Sequence, residues 1–442
     1  KNTSKFCIFV QTTKMAILDK AKFLLIPSGY KATKLYSIFP SAGGFDFTFA
    51  RVGDDATRQN VSGIIETKAA NIPRLNHHNN GCPSLLIEAT RSNLQIRSEE
   101  FDNSAWTTDA LAVTVTANQI TSPKGTTTAD KILRTATSAA YIRDAAAKPS
   151  AAAMQMTTSV FVKQGEGDYF AIRAQGVYPN RVDARFRFST KQIYQYDAFG
   201  TFTAGRTKVE EYGDGWFRLQ IEYTTDADAS IISLFSPRAS DGVVDSTNST
   251  STSFVYLFGC QIEKGVGATS YIKTENIAVS RNFDDCINTQ TFSLGADATF
   301  YLDFKINSYE SDFDNLLALI NSGLNKSIKL RSYKSGTNYF VLILATSNNG
   351  SSNNLITTSD NLIPFFQQNK LAIRLFGNEF IIFLNGSQIK TGTVTGNFDV
   401  LNGETIASDF GISNGKFNGD VFTQAIFDET LTTSELTTLT TL

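Results

Sequence analysis

Two histidines, scattered carboxylates and many aromatic rings are the groups in this sequence that could do chemistry. The histidines, His77 and His78, are adjacent in the polar turn Asn76-His77-His78-Asn79-Asn80-Gly81. Neighbouring residues on a strand face opposite ways, so one metal ion would rarely take both. They read as solvated loop residues. Any Ser-His-Asp or Cys-His nucleophilic centre would have to use one of them, because the chain has only 2 histidines.

A glycan-cleaving site needs no histidine, only two carboxyl groups. The nearest candidate is Glu310-Ser311-Asp312-Phe313-Asp314, where alternation would put all three acids on one strand face. Some lectin-fold glycosidases carry a similar Glu-x-Asp-x-x-Glu string, but here the last acid is Asp and comes one position early. The flanking Asn307-Ser308-Tyr309 reads as a loop, so a solvated turn is the plainer reading. The pairs Asp54-Asp55, Glu99-Glu100, Glu210-Glu211 and Asp284-Asp285 read mostly as solvated or helix-capping groups. The turn Asp241 to Asp245 could hold Ca²⁺ through oxygen ligands, although a polar turn is the plainer reading. No cofactor is expected, since there is no P-loop, no HExxH and no GxGxxG in a βαβ setting.

Aromatic side chains are the more natural binding groups. Sugar rings present apolar C–H faces that stack on aromatic planes. Tyr169, Tyr178, Tyr194 and Tyr196 are the carbohydrate-binding candidates, and Trp216, which opens an apolar strand, reads as core. The formal net charge is −2, from 40 basic and 42 acidic residues, with no long Lys/Arg block. That argues against nucleic-acid binding, which needs a basic face. No apolar run approaches the ~20 residues that span a bilayer, so no membrane insertion is expected. Cys7, Cys82, Cys260 and Cys286 are far apart and form no CxxC pair, which favours buried thiols over a disulfide or metal scaffold. Lys1 to Lys14 lacks the apolar segment of a secretory signal, and Met15 is a candidate internal start.

The elements that must position these groups are strands. The 34 phenylalanines fall largely in short alternating runs. In residues 96–280 the runs are Val113–Thr116, Thr158–Lys163, Tyr169–Arg173, Ala184–Phe188, Trp216–Ile221, Ile231–Phe235 and Phe254–Phe258, parted by Gly/Asp/Asn turns. That pattern predicts a sandwich. In residues 285–442 the runs are Thr299–Ile306, Tyr339–Leu344, Lys370–Leu375, Phe380–Leu384 and Val421–Phe427. Asn385-Gly386 is a hairpin turn signal. Thr432 and Glu435 stand three apart as in a capping box, and Leu436, Leu439 and Leu442 follow, which predicts a short C-terminal helix. Residues 1–95 hold Phe45-Asp46-Phe47-Thr48-Phe49 and brief apolar anchors, Ile64-Ile65 and Leu85-Leu86-Ile87, too few for a core. They read as an extended N-terminal anchoring or assembly arm with short strands. Ile277 to Asp284 is the linker candidate. The expected fold class is all-β: an arm, two β-sandwich domains and a terminal helix.

Three groups of strings carry a family resemblance. The first runs through Ala56-Thr57-Arg58, Gly63-Ile64-Ile65-Glu66, Asn71-Ile72-Pro73-Arg74-Leu75, Cys82-Pro83-Ser84-Leu85-Leu86-Ile87-Glu88, Asn93-Leu94 and Ser98-Glu99-Glu100-Phe101. It resembles the N-terminal portion of fibre-like structural proteins of tailed bacteriophages. It departs from them at Ala50-Arg51-Val52-Gly53, in place of a Ser/Thr-rich stretch, and at Ala89, in place of Pro. The second joins Gly125 to Lys131, Ser159 to Lys163, Gly215-Trp216-Phe217-Arg218, Gln261-Ile262-Glu263 and Ala268-Thr269-Ser270-Tyr271-Ile272. It is similar to the carbohydrate-binding-module-like jelly roll of phage virion proteins. The third, with Phe383-Leu384-Asn385-Gly386 and the Leu431-to-Leu439 segment, looks like a laminin-G/concanavalin A-like lectin sandwich.

The resemblance implies a non-enzymatic structural component of the virion, a tail or head fibre or appendage. Its arm would meet other virion proteins in a homotrimer, and its sandwiches would meet host surface glycans. The alternatives left open are a tailspike-type polysaccharide depolymerase, with Glu310 and Asp312 as its best acids, and a secreted glycan-binding protein.

Overall fold

A computed structural model describes residues 12–40, 45–53, 55–78, 81–108, 112–238, 240, 252–293, 297–308, 313–320, 327–335, 338–346, 352–357, 363–395, 400–406 and 417–442. The fold is all-β, and two α-helices are present among the described residues. The chain divides into two compact units: residues 1–58, 68–90 and 282–442, and residues 59–67 and 91–281.

The middle unit is a sandwich of two six-stranded antiparallel sheets. One has the order Thr107–Thr108, Ile142–Ala147, Ser230–Arg238, Tyr169–Gln175, Arg181–Arg187, Gln192–Phe199. The other has the order Val113–Thr121, Thr127–Arg134, Ser253–Lys264, Gln155–Glu166, Trp216–Thr224, Thr203–Tyr212. Alternation puts Phe170, Ile172, Val182, Ala184 and Phe186 of the first sheet against Val160, Val162, Leu219, Ile221, Leu257 and Ile262 of the second. Every strand expected here from alternation is present.

The other unit joins both ends of the chain. One sheet runs Ser387–Thr393, Glu379–Leu384, Gln368–Phe376, Ala298–Ile306, Gly419–Phe427, Pro83–Ile87, Leu75–His77, and Phe23–Leu25 also pairs with Gly419–Phe427. The second runs Tyr30–Lys31, Lys34–Leu35, Phe47–Ala50, Asp285–Ser293, Val400–Ile406, Phe313–Ile320, Ser327–Ser335, Asn338–Thr346, Ser352–Ile356. Helices α1 (Thr12–Leu18) and α2 (Thr433–Thr440) cover the first sheet through Ile17, Leu18, Leu436 and Leu439. The helix α2 begins with the expected capping box, Thr432 with Glu435. The Asn385-Gly386 turn has the positive φ values (50° and 86°) that its two-residue hairpin requires.

The N-terminal segment differs from the arm expected for 1–95. Its strands lie inside the C-terminal sandwich: Phe23, Leu25, Leu35, Phe47, Leu85 and Ile87 are all buried in that core. Anchors too sparse for a separate core suffice as strands added to sheets built much later in the chain, as where Phe23 pairs with Ile426 and Phe49 with Cys286. The segment is covered within the chain, by the C-terminal domain that it joins.

A buried charge network locks the segment in place. Asp284 accepts from Arg51 Nη1 (3.0 Å), from Arg74 Nη2 and from the Glu88 backbone N–H (3.0 Å). Arg74 Nη1 also donates to Glu88 Oε2 (2.6 Å), and Arg51 Nη2 to the Ala69 carbonyl (2.8 Å). Asp284 is thus no solvated acid, contrary to the reading of its pair. Arg51 lies in one of the stretches where the sequence departs from the fibre pattern.

Candidate functional site: the open face of the middle sandwich

The strands Tyr169–Gln175, Arg181–Arg187 and Gln192–Phe199 end the first sheet of the middle unit. Since Val182, Ala184 and Phe186 point into the core, Arg181, Asp183, Arg185 and Arg187 must point outward. Antiparallel register sets Arg173 beside Asp183, Asp197 on its other side, and Phe199 beside Arg181. The result is a charged ladder. Arg173 grips Asp183 with two bonds (2.5 and 2.9 Å), and Arg181 Nε reaches the same carboxylate (3.2 Å). Arg185 Nη1 donates to Gln195 Oε1 (2.7 Å), whose amide donates to Asp197 (2.7 Å).

Each end of the ladder carries an aromatic–arginine stack. At one, the Arg181 guanidinium lies 4.0 Å from the Phe199 ring centroid and 5.1 Å from that of Tyr178. Tyr178 stands on a turn fixed by Val177 N–H donating to Asp228 (2.6 Å) and by Asn180 donating to Asp226. At the other, Arg187 lies 5.3 Å over Tyr169, and Tyr169 meets Tyr194 edge to face at 6.0 Å. Asp168 holds Arg187 Nε (2.7 Å) and accepts from Ser189 N–H (2.8 Å) and Oγ–H (2.7 Å). Partial burial would raise the Asp168 carboxyl, but Arg187 and Ser189 outweigh it and keep it below the ordinary range. Arg181 to Arg187 spans six residues, about 20 Å at ~3.3 Å per residue. Tyr178 is 66% exposed, Tyr194 45% and Phe199 36%.

Three of the four tyrosines singled out from the sequence lie at this face. Tyr196 does not: it packs against the core, and its hydroxyl donates to the Glu222 carbonyl (2.5 Å). Burial pushes that hydroxyl well above the usual range. A bulge causes the difference. Phe186 pairs with Ile193 but Arg185 with Gln195, so Tyr194 is the extra residue and Tyr196 falls opposite inward-facing Ala184. Sequence reasoning missed Phe199 and the arginines, whose signal was the alternation Arg181-x-Asp183-x-Arg185-x-Arg187.

The outer face of the opposite sheet is sealed by the chain itself. Phe161, Trp216, Phe258 and Tyr271 form a buried cluster with Ile65 and Ala129. Trp216 Nε1 donates to the Thr121 carbonyl (3.1 Å), consistent with its reading as core. The strings behind the jelly-roll resemblance meet here. Arg218 Nη1 donates to the Thr269 carbonyl (2.8 Å), Glu263 accepts from Thr269 N–H (2.9 Å), and Gln261 accepts from Ile272 N–H (2.7 Å). Those residues hold the fold together and leave no room for a ligand.

The histidine turn is not simply solvated. His78 Nε2 lies 3.0 Å from Asp420, a fully buried carboxylate that also accepts from Ser84 Oγ (2.5 Å) and Asn307 Nδ2 (2.5 Å). Burial favours the neutral acid, yet His78, Ser84 and Asn307 together hold Asp420 far below the ordinary carboxylate range. Serine, acid and histidine are all present, but the acid sits in the middle. Ser84 donates to the carboxylate, not to an imidazole, so nothing here activates it as a nucleophile. Glu310, Asp312 and the Asp241–Asp245 turn lie outside the described residues. Among the described residues, no group of three His, Cys, Asp or Glu side chains could hold a metal ion. Cys260 and Cys286 are buried and Cys82 is exposed. No described helix is long and apolar enough to cross a membrane.

No protein-family model matches the sequence, and no curated protein matches it. The solved structures it is similar to, at TM-scores of 0.25 to 0.30, include the following three. One is the Ruminococcus gnavus IT-sialidase CBM40 bound to α2,3 sialyllactose, at TM-score 0.28 and 17% identity, over 33% of this chain and 83% of that one. Another is domain 4 of AbnA, a GH43 extracellular arabinanase from Geobacillus stearothermophilus, in complex with arabinotriose, at 0.30 and 14%, over 39% and 82%. A third is the heptameric SAP-like pentraxin of Limulus polyphemus, at 0.28 and 15%, over 35% and 73%.

Proposed function

We propose that the open face of the middle sandwich binds glycans, on a structural protein that displays it from a bacteriophage virion for adsorption to host surface sugars. The observation that carries the binding role is the pair of aromatic–arginine stacks, Tyr178/Phe199 with Arg181 and Tyr169/Tyr194 with Arg187, at opposite ends of one exposed polar ladder. Rings take the apolar faces of sugars, and the amide, guanidinium and carboxylate groups between them match hydroxyls. About 20 Å suits an oligosaccharide more than a single ring. The virion role is supported by the ordered strings in the sequence.

In this reading the protein binds without cleaving. Titration calorimetry against host-surface oligosaccharides tests it: the wild type binds, and Tyr178→Ala and Phe199→Ala bind at least tenfold more weakly. Equal binding by both variants would move the site elsewhere. Release of new reducing ends from a bound polysaccharide would restore the depolymerase alternative. Density for this fold on the tail or head of an intact particle, by cryo-EM, tests the virion assignment, and its absence from the particle would overturn it.

A further inference from the structure

We infer that the open face selects acidic glycans, with a sugar carboxylate seated on the outward end of Arg187; this rests on the glycan-binding reading above. Four arginines, Arg173, Arg181, Arg185 and Arg187, face three aspartates, Asp168, Asp183 and Asp197, so the ladder favours an anion although the whole chain is slightly acidic. The arginines are not equivalent. Arg173 is buried and spent on Asp183. Arg181 uses Nε on Asp183 and Nη1 on the Pro179 carbonyl (3.2 Å). Arg185 uses Nη1 on Gln195.

Arg187 is held differently. Asp168 takes only its Nε, and Tyr169 lies under its plane. Its two Nη groups meet no partner among the described residues, and its side chain is 44% exposed. A guanidinium fixed from behind with its terminal fork open is the arrangement that receives a carboxylate through two parallel bonds. Tyr194, edge-on to Tyr169 and near enough to act on the Arg187 charge, offers a ring to the sugar bearing the acid. A uronic or ulosonic acid residue supplies both the ring face and the carboxylate.

The test compares oligogalacturonate with its methyl ester, the same sugar with the charge removed, by calorimetry on the full chain. The acid is expected to bind at least tenfold more tightly than the ester, with an affinity that falls as salt rises. Arg187→Gln should abolish that preference, so that acid and ester bind with the same affinity. Arg187→Lys, which keeps the charge but lacks the fork, should recover only part of it. Equal binding of acid and ester would overturn the selectivity and leave the glycan face standing. Full recovery by lysine would overturn the seating on the fork. Binding of neither ligand, nor of any other glycan, would overturn both readings together.

Discussion

Arg187 and Arg218 each lie over an aromatic ring at nearly the same distance, 5.3 Å over Tyr169 and 5.2 Å over Phe161. They stand on the outer faces of the two sheets of one sandwich, and they do different work. Arg218 is buried and bonded to the Thr269 carbonyl and Ser159 Oγ (3.0 Å). Arg187 is exposed, and its two Nη groups meet no partner among the described residues. What separates framework from recognition is the chain laid over one face: residues 268–272 cap the Arg218 side, and no described residue caps the Arg187 fork. Residue type alone would assign both arginines the same role.

The largest expected effect breaks the comparison from the sealed side. Arg218→Ala takes the donor from the Ser159 hydroxyl, leaves the Thr269 carbonyl only a long bond from Gln261 Nε2 (3.4 Å) and removes a guanidinium from over Phe161. The cost should be about 3 kcal/mol. A denaturant melt should show the loss, with glycan affinity of the folded fraction unchanged. Arg187→Ala should do the reverse, losing affinity for acidic glycans with a much smaller shift in the melt, that of its exposed pair with Asp168. If Arg187→Ala destabilised the protein as Arg218→Ala does, the open face would be framework too.

The two regions should also titrate in opposite senses. Asp130, buried in the strand Thr127–Arg134, accepts from the Phe101 and Asn118 backbone N–H groups (2.9 Å each), yet burial raises its carboxyl from 3.8 to about 6. The folded state then holds a proton between about pH 4 and pH 6 that the unfolded state has lost, so this group's contribution to stability falls as pH rises through that window. Asp168 is shifted the other way, so its contribution is present above the unfolded carboxylate pKa and is lost as pH falls. Melting curves across pH 3–7 for the wild type, Asp130→Asn and Asp168→Asn check this. Asp130→Asn should remove a downward slope toward pH 6, and Asp168→Asn should remove an upward one at acid pH.

The comparison also shows what the sequence could convey. Apolar alternation revealed Thr158–Lys163 and Trp216–Ile221, because a two-residue period with one buried face has no other good solution. Neither Gln192–Phe199 nor Thr203–Tyr212 shows a two-residue apolar period, since both are edge strands of their sheets, the first is broken by a bulge and the second carries mostly polar residues. The site depended on one of them. Two residues apart, Tyr194 and Tyr196 would share a face on a regular strand, and only the pairing partner Arg181–Arg187 shows that a bulge parts them. The N-terminal strands were legible as strands but not in their partners, because Phe23 pairs with Ile426 across a separation that no local pattern encodes. The buried Asp284 was hidden for the same reason: Arg51 and Arg74, which neutralise it, lie more than 200 residues away.

A smaller effect sharpens the role of the rings on the open side. Tyr194→Ala removes the ring that meets Tyr169 edge to face, at a position 45% exposed. Glycan affinity should fall about tenfold, which is ~1.4 kcal/mol, with a smaller loss of melting temperature than Tyr196→Ala. Tyr196→Ala should behave oppositely, because its ring packs on the core and its hydroxyl bonds Glu222. Equal loss of affinity in both variants would mean that the bulge does not sort the two tyrosines as described.

The smallest expected effect returns to the sealed face. Tyr271 is buried among Phe161 and Phe258, and its hydroxyl shares a 2.7 Å hydrogen bond with Ser98 Oγ. Tyr271→Phe keeps the ring and deletes that bond. The Ser98 hydroxyl has another acceptor within reach, the Thr274 carbonyl at 3.3 Å, so it need not be stranded. The loss should therefore be that of one ordinary buried hydrogen bond, about 1 kcal/mol, read as a small shift in the denaturant midpoint without a change in slope. Glycan affinity should not change, because the residue lies on the face that the chain has already closed. A drop in affinity with Tyr271→Phe would mean that ligand reaches both faces, and the division between framework and recognition would then have to be drawn within each sheet.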